Sequence, residues 1–553
     1  MYSLQTINKQ KIINIAFCVF VSFFILLWIS PDSYLMHIGA FRSDSAWFHT
    51  CGRAWMEGMT PYVDFADSKG ILLWLIYGVG YLLSPSSCYG VFWLSVVAYT
   101  VTFYNILRIS RMFLDQSQSW YVIVVMPFFL FTCVCYNELR AEDFCYPAVF
   151  AGIYYTCLVL RNPSTAVLRK SAFWLGVAMM WCLLIKWTIF LMMGGMALVV
   201  AGVSLHRKSS VGIFYGLLGM AVMALPFAIY FIVAGNFGAF IQEYFLNTFS
   251  TTKSSDVQIF SLGRIVFCIF TLGAIFLLSL FGLKTKGFDK VCLFILSALW
   301  LLSFIIYCIV EGKLGLQLQC LLTSHPSVRD SFNANSHIYY ILTIYITIVY
   351  AGILLFCKRF NISYWLMFVY FPFYLFLMFA GIHNYYFMIA MPFYIFFVIC
   401  IIGHIPERIC IKQNTTHIFA IASVLILATF VNISSRRLCF VQNKSADDFE
   451  RVMRIIARKD YPKIIFFGEE FYEGSLARAL PGCKYWAEQA NSSEDMINDR
   501  EKAVRQRRPD FVVVRGDKKN IDKLLVKSGY RPLCAYIVIL YHGFVEKNML
   551  YAK

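Results

Sequence analysis

Ionisable side chains are scarce in this chain, and those with types and spacing suited to chemistry fall in a few short stretches. Residues 31–69 hold Asp44, Glu57, Asp64, Asp67 and Lys69 among aromatic residues. Residues 136–147, YNELRAEDFCYP, crowd Glu138, Arg140, Glu142 and Asp143 together. Lys186 stands alone between two apolar runs, and GIHNYYFMIAMP (381–392) brings His383, Asn384, Tyr385 and Tyr386 to the start of another. A carboxylate can take the proton of an attacking hydroxyl. A lysine is a point-charge partner for phosphate, and fixed cations stabilise a phosphate as it departs. Gly-x-Gly-x-x-Gly and P-loop patterns are absent, so no nucleotide site is assigned. The 18 cysteines show no paired CxxC with zinc spacing and read as small apolar residues.

Each stretch also has a plainer reading. Acidic residues in a wet loop are ordinary, Arg140 can simply pair with its acidic neighbours, and Lys186 can snorkel to the membrane surface. An aromatic belt explains Tyr385 and Tyr386 but not His383. The 311–337 stretch adds Glu311, Lys313, His325 and His337 without a defined role.

The elements that must position these residues are set by composition. Of 553 residues, 59% are hydrophobic and 14% charged, with mean hydropathy +0.65. Soluble domains carry about 25% charged residues. Disorder, a collagen-like repeat and an ordinary soluble enzyme are thereby excluded, and a polytopic, all-α membrane protein is expected. A span needs about 20 apolar residues. Thirteen candidates lie at roughly 12–30, 88–107, 119–135, 146–160, 171–185, 188–204, 211–233, 259–281, 291–309, 338–356, 362–380, 385–402 and 417–433. Lys9 and Lys11 precede the first, which no A-x-A site follows, so it reads as an uncleaved signal anchor.

The apolar stretch 70–84 decides the side of everything after it. If it lies at the interface and the N-terminus is cytoplasmic, sixteen Lys and Arg fall in cytoplasmic loops and nine outside, before the tail. If it spans, the split is eight inside and seventeen outside. The positive-inside rule selects the first arrangement. It makes 31–69 a long first outer loop, 70–84 a juxtamembrane helix, and residues 435–553 extracytoplasmic. Lys69 then sits at head-group depth, where a lipid phosphate would meet it. Asp44 opens an amphipathic helical run through Ala46, Trp47, Ala54 and Trp55.

The chain thus divides into a membrane module, 1–434, and a polar tail, 435–553, with 23 basic and 16 acidic residues. In the tail, 463–468, 510–516 and 535–544 read as strands, and 446–459 and 517–528 as helices. That predicts a small α/β domain. The net charge of +17 is mostly spent on cytoplasmic loops and the tail rather than on a nucleic-acid surface.

The run SDSAWFHTCGRAWMEGMTPYVDFADSKGILLWLIY resembles the first-loop signature of superfamily C membrane glycosyltransferases. It is nearest the bacterial aminoarabinose transferase and protein O-mannosyltransferase-like branch. The resemblance covers roughly 1–400 and implies sugar transfer from a polyprenyl-phosphate donor to a lipid, glycan or protein acceptor on the outer face of the cytoplasmic membrane. It implies Asp44 as general base and Lys69 as a ligand of the carrier phosphate. Gly70 and Ile71 follow where that family often has two prolines. Ser68 stands where some relatives carry a glutamate proposed to bind metal. LRAEDFCYP resembles the family's second-loop acidic motif, with Glu142 and Asp143 as the pair that orients an acceptor or a metal, flanked by Arg140. IKWT resembles a later lysine motif through Lys186, a second phosphate ligand, and HNYYFMIAMP a His-Tyr-rich motif through His383 and Tyr385. Asp67 is a further candidate. No cofactor is assigned, and a divalent cation is the one left open. Phe-, Ile- and Lys-rich usage points to a bacterial chain.

Two other classes fit the composition. A transporter or flippase would carry mid-span charges and internal repeats, neither of which is evident. An O-antigen polymerase or ligase would carry arginines in a large late outer loop, where 311–337 has only Arg329.

Overall fold

The computed structural model describes residues 2–29, 43–85, 87–114, 119, 122, 141–247, 392–393, 395–396, 399, 446–468, 478–488, 493–539 and 545–553. Helix α1 (Tyr2–Ile29) leads to α2 (Ser43–Met56), α3 (Ile71–Leu83), α4 (Tyr89–Phe113), α5 (Ala141–Arg161), α6 (Thr165–Leu183), α7 (Trp187–Met192), α8 (Gly194–His206) and α9 (Val211–Ala234). A short helix α10 (Phe237–Phe240) runs into a π-helical turn, Ile241–Asn247.

Among the described residues, six helical runs are long and apolar enough to cross a membrane. They are Gln10–Leu27, Tyr89–Phe113, Ala141–Arg161, Thr165–Leu183, Trp187–His206 and Val211–Ala234. They meet six of the thirteen expected spans. Almost all of 119–135, and nearly all of the spans expected from 259 to 433, lie outside the described residues. Helix α3 covers the expected juxtamembrane stretch. At 1.5 Å per residue its 13 residues reach about 20 Å, short of a hydrocarbon core of about 30 Å.

The bundle holds together by close backbone approach. Without a hydrophobic driving force between helices in lipid, small residues at the interface allow tight packing. A Cβ at Gly176 of α6 would lie 2.0 Å from the Gly216 carbonyl oxygen of α9, and one at Gly219 would lie 2.0 Å from that of Phe173.

The helices carry their basic residues at one end. Arg108 stacks on the Tyr154 ring at 3.6 Å, Arg111 Nη2 donates to Asn14 Oδ1 at 2.8 Å, and Arg207 and Lys208 follow α8. The opposite end carries α2, α3 and the loop between them.

That second end also meets an α/β unit. It contains α11 (Ala446–Ile456), β1 (Lys463–Phe467), β2 (Leu480–Pro481), α12 (Glu494–Arg505), β3 (Phe511–Arg515), α13 (Lys519–Lys527), β4 (Arg531–Ile539) and β5 (Val545–Ala552). The sheet order is β2-β1-β3-β5-β4. Strand β1 pairs in parallel with β2 and β3, and β5 lies antiparallel between β3 and β4. Strand β3 is buried along its whole length, as a strand covered on both faces should be. Four expected segments recur as β1, β3, α11 and α13. The strand expected at 535–544 appears as β4, which begins earlier and pairs antiparallel with β5; residues 540–544 lie outside the described residues.

Replacing Gly176 by Ala should force α6 and α9 apart and cost about 1–3 kcal/mol, the usual penalty of overpacking. The thermal midpoint of the detergent-solubilised protein reads this. Gly238→Ala, where nothing lies within 4 Å of the added carbon, should leave the midpoint unchanged.

Candidate functional site

The site is built where two interruptions of helix meet. Helix α6 stops at Leu183 and α7 starts at Trp187, so Leu184, Ile185 and Lys186 lie between helices. Lys186 itself has extended backbone, φ −151° and ψ 105°. Helix α3 begins at Ile71 with amides that have no partner inside the helix. The two defects satisfy each other. Gly70 N–H donates to the Ile185 carbonyl at 2.9 Å and Leu72 N–H to the Leu184 carbonyl at 2.9 Å. A Cβ at position 70 would lie 2.0 Å from Leu184 O, so only glycine permits this approach. The chain positions next to Lys69 and Lys186 are thereby tied together.

Lys186 does not snorkel. Its ammonium pairs with the Glu142 carboxylate of α5, and the two side chains are 10% and 2% exposed. Asp143, also buried, accepts from the Tyr99 hydroxyl of α4. The second-loop acidic pair thus has a cationic partner at Glu142 and a neutral one at Asp143.

Lys69 lies on the other side of the juncture. Its Nζ is 3.5 Å from Ser68 Oγ and 5.9 Å from the centre of the Phe48 ring. Asp67 Oδ1 accepts from Ser68 N–H at 2.6 Å and from Ser68 Oγ at 3.2 Å. The loop is held from within by Tyr62, whose hydroxyl donates to Lys69 O at 3.0 Å. Asp44 is half-buried in the first turn of α2. It shares a face with Phe48, four residues on. The Asp44 carboxylate thus stands one helical turn from the ring that Lys69 overlies. Arg140, His383 and Tyr385 lie outside the described residues. No group of three or more His, Cys, Asp or Glu that could hold a metal is found among the described residues.

Below the juncture an apolar cavity of about 470 Å³ opens among α3, α4, α5 and α6. Leu72, Phe144 and Trp181 line it, within a few residues of Lys69, Glu142 and Lys186. Trp181 Nε1 donates to Phe144 O at 2.8 Å, bracing α6 on α5.

Helix α2 is clamped from above. Its Trp47 stacks on Trp486 with ring centres 4.6 Å apart, and Arg53 Nη1 donates to Ala479 O at 3.3 Å. Ala66 N–H donates to Lys484 O at 3.0 Å. Arg53 Nη2 lies 3.1 Å from His49 Nδ1. Burial, and then the nearby Arg53 charge, hold His49 well below its ordinary value of 6.5, so it is neutral, with Nδ1 accepting. Burial brings Arg53 down to about 10, which leaves it charged. These contacts from 479–486 were not visible in the sequence. The cluster of Tyr485 and Trp486 in a polar tail was the one signal for them.

The fold and site define a multi-pass helical membrane chain with an α/β unit seated on its first loop. No family model matches the sequence, and no curated protein matches it. Two solved structures of ArnT from Cupriavidus metallidurans are similar, one bound to undecaprenyl phosphate and one in the apo state. Each is 12% identical with a TM-score of 0.42. The likeness covers 98% of this chain and 98% of the first, and 99% of this chain and 98% of the second.

Removing one partner of a buried ion pair leaves an uncompensated charge and costs about 3–5 kcal/mol. Lys186→Met should therefore destabilise strongly in thermal unfolding, and adding Glu142→Gln should restore most of the loss. His49 supplies a pH dependence. Its folded value is depressed, so above pH 6.5 it imposes no penalty. As pH falls below that, the unfolded chain binds a proton the folded one refuses. Stability should then drop by up to about 1.4 kcal/mol per pH unit. Midpoints measured from pH 7 to pH 5 should show a shallower slope in His49→Gln.

Proposed function

We propose that the chain is a membrane glycosyltransferase that moves a sugar from a polyprenyl-phosphate donor to a lipid, glycan or protein acceptor. The observation that carries this is the pairing of Gly70 with Ile185, which joins the chain beside Lys69 to the chain beside Lys186, a few residues from Leu72 and Trp181 of the apolar cavity. An isoprenoid tail suits the cavity between α3 and α6, and its phosphate suits the two lysines. On this reading the end bearing α2 and the α/β unit is extracytoplasmic, and the basic end is cytoplasmic, in accord with the positive-inside rule. Residues 1–434 form the membrane module and 435–553 the extracytoplasmic domain.

The reaction has a defined balance. The acceptor hydroxyl oxygen bonds to the anomeric carbon as the bond from that carbon to the phosphate oxygen breaks. The hydroxyl proton goes to the Asp44 carboxylate. The donor phosphate carries one negative charge as a diester and gains a second on departure. Lys69 and Lys186 are placed to stabilise that added charge more than the ground state. Glu142, Asp143 and Arg140 orient the acceptor or a divalent cation. Asp67 keeps the loop before Lys69 in shape, and His383 and Tyr385 remain further candidates.

The test is transfer of labelled sugar from a polyprenyl-phosphate donor by the purified full-length protein. Asp44→Asn should lower kcat by on the order of 10²–10⁴, the usual share of a general base, with donor binding retained. Lys69→Ala should weaken donor binding and transfer together. Full activity in Asp44→Asn would remove the base from the mechanism. Equal binding of the phosphorylated and unphosphorylated lipid by the unmodified protein would remove the donor site.

A further inference from the structure

The π-helical turn Ile241–Asn247 takes no part in the chemistry just described, yet it bonds to the chain before Lys186 and, through Lys484, to the chain before Lys69. Such turns are rare and gather at functional sites. Glu243 is buried in it. Its carboxylate receives Lys484 Nζ at 2.6 Å, the Tyr485 hydroxyl at 2.8 and 3.0 Å, and Asn247 Nδ2 at 2.9 Å. The same Lys484 offers its backbone carbonyl to Ala66 N–H, three residues before Lys69. The next residue of the turn, Tyr244, points elsewhere. Its buried hydroxyl donates to Leu183 O at 2.6 Å, at the end of α6 and three residues before Lys186.

We propose that Glu243 and Tyr244 form a positioning latch that sets the separation of Lys69 and Lys186 for a lipid phosphate. The inference rests on the donor site proposed above. Neither residue touches the phosphate. Glu243 acts through Lys484 and Ala66 on the Asp67–Lys69 loop, and Tyr244 acts through Leu183 on the break that carries Lys186. Burial, and then the charge of Glu243, push the Tyr485 phenol up, so it stays a donor wherever the carboxylate is ionised. Loss of the carboxylate would leave Lys484 without its counter-charge and free the 484–486 segment to shift. A binding group displaced by about 1 Å can cost on the order of 100-fold. The latch also gives the α/β unit a function: it supplies Lys484 and Tyr485, which add to the bonds the loop makes within itself and with Asn236 and Ile185.

The test compares binding of undecaprenyl phosphate and undecaprenol to the full-length protein in detergent. The unmodified protein should prefer the phosphate. Glu243→Gln keeps an acceptor for Tyr485 but removes the charge, and Tyr244→Phe removes one hydrogen bond, so both are mild enough to fold. Each should weaken undecaprenyl phosphate binding by on the order of 10- to 100-fold and leave undecaprenol binding unchanged. A purely structural role would weaken both lipids alike, and that result overturns the latch. So does an unchanged phosphate preference in both variants while Lys69→Ala and the Lys186→Met, Glu142→Gln double variant abolish it. If the unmodified protein shows no preference, or the lysine variants keep it, the donor site falls and the latch with it.

Discussion

Everything at this site depends on two backbone hydrogen bonds that link the start of α3 to the break between α6 and α7. In lipid an unsatisfied backbone group costs several kcal/mol, so a helix can stop at membrane depth only where protein supplies partners. The orphan carbonyls of Leu184 and Ile185 and the orphan amides of Gly70 and Leu72 cancel as complementary defects. This constraint explains why a glycine directly follows Lys69, since the approach leaves no room for a side chain. It also explains why Lys186 is extended rather than helical, which lets its side chain reach across to Glu142 of α5.

The α/β unit is bound to the same end by the logic of sheet edges. Strand β2 lies at the edge of the sheet, and an exposed edge invites unwanted pairing. Helix α2 runs alongside it, with Arg53 on Ala479 O and Trp47 stacked on Trp486. The edge that would be a liability becomes the mount for the helix that carries Asp44. The remaining interface runs through Ala66, Glu243 and the hydrogen-bonded Tyr81 and Tyr461 hydroxyls, 3.0 Å apart. First loop, bundle end and sheet edge are thus fixed to one another by a few polar contacts around a stacked aromatic pair.

The parts legible in sequence were those with a local cost. A charge beside an apolar run is expensive, so Lys69, Lys186, Glu142 and Asp143 stood out. The spans at α1, α4, α5, α6 and α9 announced themselves by length and hydropathy. Pairing was not legible. Glu142 reaches Lys186, 44 residues away, and Asp143 takes Tyr99, equally far in the other direction. Glu243 is one isolated acid after a span, and nothing local assigns it to Lys484. Helix α12 escaped notice because its buried face is only Arg500, Ala503 and Val504. Strand β5 escaped because Glu546, Lys547 and Asn548 break the alternation of an apolar strand. In each case the missing information was tertiary.

The buried Glu142–Lys186 pair also bears on how a donor could be taken up. A buried ammonium without a counter-charge would be costly. Lys186 has one in Glu142. On the proposed reading, an arriving phosphate competes with Glu142 for the same ammonium. Binding then exchanges one buried anion for another instead of adding a new pair, so its net electrostatic gain is small. That is tolerable because the isoprenoid tail supplies affinity through buried apolar area, at roughly 0.8 kcal/mol per CH₂. The charges are then left to discriminate phosphate from alcohol and to respond when the leaving phosphate gains its second charge. A pair that contributes little to ground-state affinity but strengthens as charge develops is the arrangement that differential binding of the transition state requires.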